Sequence, residues 1–415
     1  MGHSLVDKTS AKRLLAWQFG LCLCVYFAAN LFLFYKQATV AFYGAYFSDL
    51  PEHLGWACYT DSFLNIPSQA RVYPLFHLLV RLFSVVFDTE WSGAIPLALC
   101  NCASAVLLYY YICRMVKNSE YSVTVFGKKL NLTHAIPGLL TFSLLLASML
   151  ILPIKNLAGG EWHAYLGVFT PNPWHNPTYI VARPFAIICF FEFSELFDLH
   201  DESFTFPRLA LFSSSLLLAT FAKPSFAIVF LPVAGIMMLV KLFSKSWRRI
   251  LLFGIAYIPT FALLAWQYLL IYVQDTKLSG EGGLEFTLGG GWEIFSPCIP
   301  LSIVLAGAFG LVVLAFNIKH FRTAPTVYQL GVYIYLCSLA EVYFLYENNY
   351  RKAHADLFWG YMYGLFFLLL ASVSLLLKQR GEHPKFERAS WIVFALHILC
   401  GIGYFAWLLT GRFYF

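Results

Sequence analysis

Charge is scarce in this chain. Asp, Glu, Lys and Arg make up 12% of its 415 residues, far below the roughly 25% of a soluble domain, while 60% are hydrophobic and 19% aromatic. No polar stretch reaches the length of about 50 residues that a separate soluble domain would need, so any chemistry has to be built from helices and short loops. The ten cysteines lie mostly inside apolar runs and lack paired metal spacing; they read as small core residues and not as a disulfide framework. No basic tract exceeds a pair, so the net charge of +6 points to membrane topology and away from nucleic acid. No segment recurs at a fixed offset. The first apolar run continues without a small-residue cleavage site, so a span is expected there in place of a removable signal.

What the chain has instead is apolar runs of the length, about 20 residues, that a membrane-crossing helix requires. They fall near residues 14–35, 92–113, 135–153, 177–197, 207–222, 224–243, 250–273, 298–316, 326–346, 358–377 and 390–409. The expected fold is therefore all-α: a single polytopic transmembrane domain over residues 1–415 with about 11 spans. A further apolar stretch, 73–87, is too short and carries His77 and Arg81; it is expected to be an interfacial or re-entrant helix within a first external loop of about 36–91. With that stretch not spanning, the basic residues of 8–13, 114–129, 208, 241–249, 319–322 and 378–388 fall on one side. Because cytoplasmic loops collect Lys and Arg, this places the N-terminus in the cytoplasm and the C-terminus outside.

The unusual polar residues then converge on the outer face. Ser48-Asp49-Leu50-Pro51-Glu52-His53 sets two carboxylates and an imidazole at the edge of the bilayer. The second external loop holds Glu161, His163 and Asn172-Pro173-Trp174-His175-Asn176-Pro177, with Arg183 just inside the next span. Lys223 interrupts two apolar runs at Ala222-Lys223-Pro224-Ser225, and the last such loop carries Glu347, Arg351, Lys352, His354 and Asp356. An ionisable group at membrane depth is costly unless paired or wet, which makes each a functional candidate. Each also has a plainer reading. Asp49 and Pro51 suit a helix start, the Asn-Pro steps suit a turn, and Arg183, Lys223, Arg351 and Lys352 suit snorkelling to headgroups. The Trp residues near span ends, Trp359 among them, suit an interfacial belt; Trp174 stands apart because it lies within a polar motif.

These residue types suit glycosyl transfer from a lipid phosphate. A carboxylate at the membrane surface, Asp49, accepts the proton of an acceptor hydroxyl, with Glu52 and His53 beside it; cationic groups neutralise the leaving phosphate. Lys223 and Arg351 would clamp it, helped by His175 or His354. Asp, Glu and His are all present, so a divalent metal ion is compatible, but no His-x-x-x-His or Asp-x-Asp spacing requires one.

An N-terminal span, a long first external loop bearing an acidic motif, and many spans joined by short loops resemble the integral-membrane C-type glycosyltransferases (GT-C). The segments Phe47 to His53, Pro171 to Thr178, Ala222 to Phe226 and His354 to Tyr361 are similar to those of bacterial membrane proteins of that type. The resemblance covers nearly the whole chain and places its loop carboxylate on Asp49. A second acidic residue directly beside that carboxylate is common in the superfamily; here Glu52 comes three positions later. The resemblance implies a polyprenyl-phosphate-linked sugar donor and a cell-envelope glycan, lipid or protein acceptor. It implies transfer of a hexose or pentose with inversion, at the outer face of a bacterial cytoplasmic membrane. Trp174, His175, Asn176, Arg183, Lys223, Arg351, His354 and Asp356 would then contact substrate. Acceptor recognition would be built from loops and membrane lipids. Two other classes compete: a transporter or flippase of lipid-linked sugars, suited by Pro-broken helices, and a polysaccharide polymerase or ligase.

Overall fold

The computed structural model describes residues 3–40, 44–58, 71–117, 122–125, 128–131, 135–150, 165–199, 204–242, 247–270, 283–347, 352 and 354–412. Expectations placed on Glu161, His163 and Arg351 lie outside them. The elements in chain order are α1 (His3–Val40), α2 (Leu50–Cys58), α3 (Leu75–Phe83), α4 (Thr89–Val116), β1 (Ser122–Val125), β2 (Lys128–Asn131), α5 (Ile136–Leu146), α6 (Tyr165–Val168), α7 (Pro177–Asp198), α8 (Phe206–Ala222), α9 (Ser225–Leu242), α10 (Trp247–Tyr268), β3 (Leu284–Phe286), α11 (Ile299–Asn317), α12 (Thr326–Phe344), β4 (Leu345–Glu347), α13 (Phe358–Lys378) and α14 (Pro384–Leu409).

Every one of the expected apolar runs coincides with a helix. Among the described residues, 7 helices are long and apolar enough to cross a membrane: α1, α4, α10, α11, α12, α13 and α14. Helices α5, α8 and α9 are shorter apolar helices, and α7, although 22 residues long, carries Arg183, Glu192 and Glu195. The chain is thus an all-α, multi-pass membrane protein; its strands form two small antiparallel pairs, β1 with β2 and β3 with β4. The 73–87 stretch yields α3, nine residues, or about 14 Å at 1.5 Å per residue. That is less than half of the roughly 30 Å hydrocarbon core.

Helix α13 is the centre. It is apolar on all sides and buried from Phe358 to Leu377, as expected of a helix enclosed by others. Small residues set the distance to its neighbours: a Cβ at Gly331 of α12 would collide with Ala371, and one at Gly364 of α13 with Ser338. Without water to drive apolar association in lipid, such close backbone approach is how membrane helices gain packing energy.

Helices α7 and α8 are packed antiparallel neighbours that position the site. Asn176 starts α7, its Oδ1 accepting the Tyr179 N–H at 2.9 Å, with Pro177 in the first turn. Lys223 ends α8, because Pro224 cannot continue a helix and biases the residue before it towards extended backbone. Asn176 and Lys223 therefore share one end of the pair, and Arg208, Glu192 and Glu195 the other. Helix α5 stops at Leu146, short of its expected extent, because Asn172 Nδ2 caps the carbonyls of Leu144 and Ala147 at 2.7 and 2.8 Å.

Candidate functional site

Two polar motifs far apart in the chain are joined at the start of α2. The Asp49 N–H and the Ser48 hydroxyl both donate to the His175 carbonyl, at 3.0 and 2.7 Å. Ser48 Oγ in turn accepts the Leu50 N–H, and the Asp49 carbonyl accepts the His53 N–H, so Ser48 and Asp49 form the entry to the helix. The Asp49 carboxylate is held on one side only: Asn176 Nδ2 donates to Oδ2 at 2.8 Å. Among the described residues Oδ1 accepts no hydrogen bond, and Asp49 is half-buried. Its backbone and one oxygen are fixed, while the other oxygen accepts nothing among the described residues.

Lys223 lies close to this carboxylate and is only 5% exposed. Its ammonium donates a long hydrogen bond to Thr178 Oγ1 at 3.4 Å and stands 4.7 Å from the Trp359 ring and 5.3 Å from that of Tyr73. Among the described residues it forms no ion pair. Burial pushes the Lys223 ammonium below the ordinary lysine range, and the surrounding carboxylates of Asp356, Asp49 and Glu347 oppose that shift. The aromatic faces supply cation–π attraction in place of direct charge pairing.

The remaining candidates surround this pair. Burial lowers His175 below its usual range, with Asp49 opposing and Lys223 reinforcing, and its ring lies 5.1 Å from Trp359. Glu52 faces solvent on α2; partial desolvation and the Asp49 charge raise its carboxyl, opposed by His354. Asp356 is half-buried and follows Ala355, which holds a left-handed backbone at φ 56°. A side chain rarely adopts that conformation without surrounding structure to enforce it. His53 is buried and paired with His77 of α3, Nδ1 to Nε2 at 3.0 Å. Burial holds His53 well below the imidazole range and lowers His77 to about 4.

Two sequence candidates take other positions. Trp174 points into the core, tilted on Phe405 at 4.5 Å and edge-on to Tyr26 at 6.2 Å. Arg183 is buried deeper along α7, donating to Asn172 Oδ1 at 2.8 Å and Asn101 Oδ1 at 2.6 Å; its described polar contacts tie α4 to the Asn172 turn. Arg351 lies outside the described residues. Glu347, singled out with the last outer loop, is buried at the end of β4. The structure brings in three residues beyond the sequence candidates. Trp359, which suited an interfacial belt, is instead packed on Lys223. Thr178 and Tyr73 carried no sequence signal. Among the described residues no group of three or more His, Cys, Asp or Glu side chains is placed to hold a metal ion.

The arrangement offers a carboxylate with one oxygen open among the described residues beside a buried ammonium that forms no ion pair among them, at one end of the α7–α8 pair. Comparison with known proteins yields no matching family model, no matching curated protein and no matching solved structure.

Proposed function

We propose that the chain is a membrane glycosyltransferase of the GT-C kind, transferring a sugar from a polyprenyl-phosphate donor to a cell-envelope acceptor at the outer face of the membrane. One observation carries the reading: Asp49 is fixed through Asn176 and the His175 carbonyl with one oxygen open, next to a Lys223 ammonium that has no ion-pair partner among the described residues. In the reaction, the acceptor hydroxyl oxygen attacks the anomeric carbon while its proton passes to Asp49. The bond from anomeric carbon to phosphate oxygen breaks, and the phosphate leaves with the electron pair. Lys223 is placed to offset the charge that develops on that oxygen, and the buried setting strengthens its effect.

A second reading, a flippase of lipid-linked sugars, draws support from the break between α8 and α9 at Lys223-Pro224. Sugar transfer separates the two. With the purified protein in nanodiscs and a polyprenyl-phosphate hexose, mass spectrometry follows release of polyprenyl phosphate. Asp49→Asn keeps the shape and should bind donor normally while turnover falls roughly 100- to 10,000-fold, the usual loss with a general base. Full transfer by a folded Asp49→Asn protein would remove Asp49 as the base, and absence of polyprenyl-phosphate release by the parent protein given an acceptor would move the flippase reading to first place.

A further inference from the structure

The small β3–β4 sheet takes no direct part in this chemistry, yet its two faces differ sharply. Leu284 pairs with Glu347, Glu285 with Tyr346 and Phe286 with Leu345. Strand side chains alternate between faces and directly paired residues share one, so Leu284, Phe286, Leu345 and the buried Glu347 lie on one face and Glu285 and Tyr346 on the other. On the second face Tyr346 Oη donates to the Glu285 carboxylate, and Lys352 Nζ stands 4.9 Å from the Tyr346 ring. On the first face the large apolar side chains have no cover: Phe286 is 72% exposed, Leu284 50%, and Leu288, next along the same alternation, 64%.

That bare face continues a lipid-facing surface. Helix α12 runs directly into β4, and its exposed residues Leu336, Ala340 and Phe344 recur every four positions as one stripe. Phe344, the last of them, stacks on Phe286 with ring centroids 5.6 Å apart. The strand pair is also firmly seated. The Thr287 and Gly289 N–H groups donate to the Phe344 and Tyr343 carbonyls at 2.9 and 2.8 Å, and the buried Trp292 donates from Nε1 to the Gly167 carbonyl at 2.6 Å. An apolar patch of this kind held rigidly in water is an aggregation hazard, whereas against lipid it is a gain.

We infer that β3–β4 is a membrane-interface strand pair: Leu284, Phe286, Leu288 and Leu345 lie against the acyl chains of bilayer lipids, and Glu285 and Tyr346 face the headgroups and water. Since β4 ends at Glu347 beside Lys223, the strand pair holds one wall of the site at bilayer level, where an amphiphilic ligand arrives from the lipid. The test is photo-crosslinking of the full-length protein in its native membrane. p-Benzoylphenylalanine is introduced at position 286 and, separately, at 285, and adducts are identified by mass spectrometry. A phospholipid adduct at 286 in at least fivefold excess over 285 is expected. Crosslinking to a second protein chain at 286, equal adducts at both positions, or none at either would overturn the inference. Position 288 reads the same face should the 286 variant not assemble.

Discussion

The two ends of the α7–α8 pair use the same kinds of residue to opposite effect. At one end Arg114, Arg208, Glu192 and Glu195 pair with one another: Arg208 reaches Glu192 at 3.0 Å and Glu195 at 2.7 Å, and Arg114 meets Glu195 at 2.8 Å. At the other, about 22 Å away, the 15 residues from Arg208 to Lys223 along α8, Lys223 is buried among aromatic rings with three carboxylates around it and no ion pair among the described residues. The first arrangement locks three helices together. The second holds a cation ready in a setting that burial makes unfavourable for it, and such an arrangement persists in a fold because the rest of the structure enforces it. Residue type alone does not distinguish a structural cluster from a functional one; whether the charges are already satisfied does.

The comparison breaks if the paired end proves dispensable. Arg208→Met leaves Glu192, with a side chain only 8% exposed, without its partner. It should lower stability by about 2 kcal/mol, between the 0–1 of exposed pairs and the 3–5 of buried ones. Sugar transfer per folded molecule should hold. Denaturation in detergent together with specific activity reads both.

The open end can be sharpened by pH. Lys223 loses its proton more readily than an ordinary lysine, whose value is 10.5, so donor binding should weaken as pH rises toward that value. Lys223→Arg, which stays charged throughout, should remove the alkaline loss even if its affinity at neutral pH is lower. A titration of donor affinity from pH 7 upward in both proteins decides this, and identical alkaline limbs would sever Lys223 from binding.

Smaller effects follow at the edges of the site. His77 takes a proton only near 4 in the folded protein, against 6.5 for a free imidazole. As pH falls below 6.5 the unfolded chain binds a proton that the folded chain refuses, so the stability present above 6.5 declines progressively toward pH 4. Thermal midpoints across that window should fall in the parent protein and fall less in His77→Gln. Asn176→Ala removes both the α7 cap, a loss of about 1 kcal/mol, and the bond orienting Asp49. A several-fold slower transfer, with donor affinity unchanged, is expected from steady-state rates.

Hydropathy alone carried the helices, because lipid demands about 20 apolar residues wherever a helix crosses, and each such run became one. It failed at ends set by side chains. Asn172 stops α5 by taking carbonyls from Leu144 and Ala147, a long-range capture that no local pattern announces. In the site, Asp49, His175, Asn176, Lys223 and Asp356 were legible because polar groups are conspicuous in an apolar chain. Arg183 and Trp174 were conspicuous for the same reason, but their roles depend on partners 82 residues away at Asn101 and beyond 200 at Phe405. Tyr73 and Trp359 were hidden for the opposite reason: in a chain that is 19% aromatic, one ring over an ammonium looks like any other.

The most direct test of the contrast between the two ends measures thermal midpoint and donor affinity of Lys223→Met in a single preparation. Replacing a buried charge that forms no ion pair among the described residues by an apolar side chain of similar length should leave the midpoint at or above that of the parent. Loss of a charged contact to phosphate, about 1.5–3 kcal/mol, should weaken affinity for a polyprenyl-phosphate sugar by roughly 10- to 100-fold. A lowered midpoint with donor affinity intact would make Lys223 a structural residue like Arg208 and contradict the account.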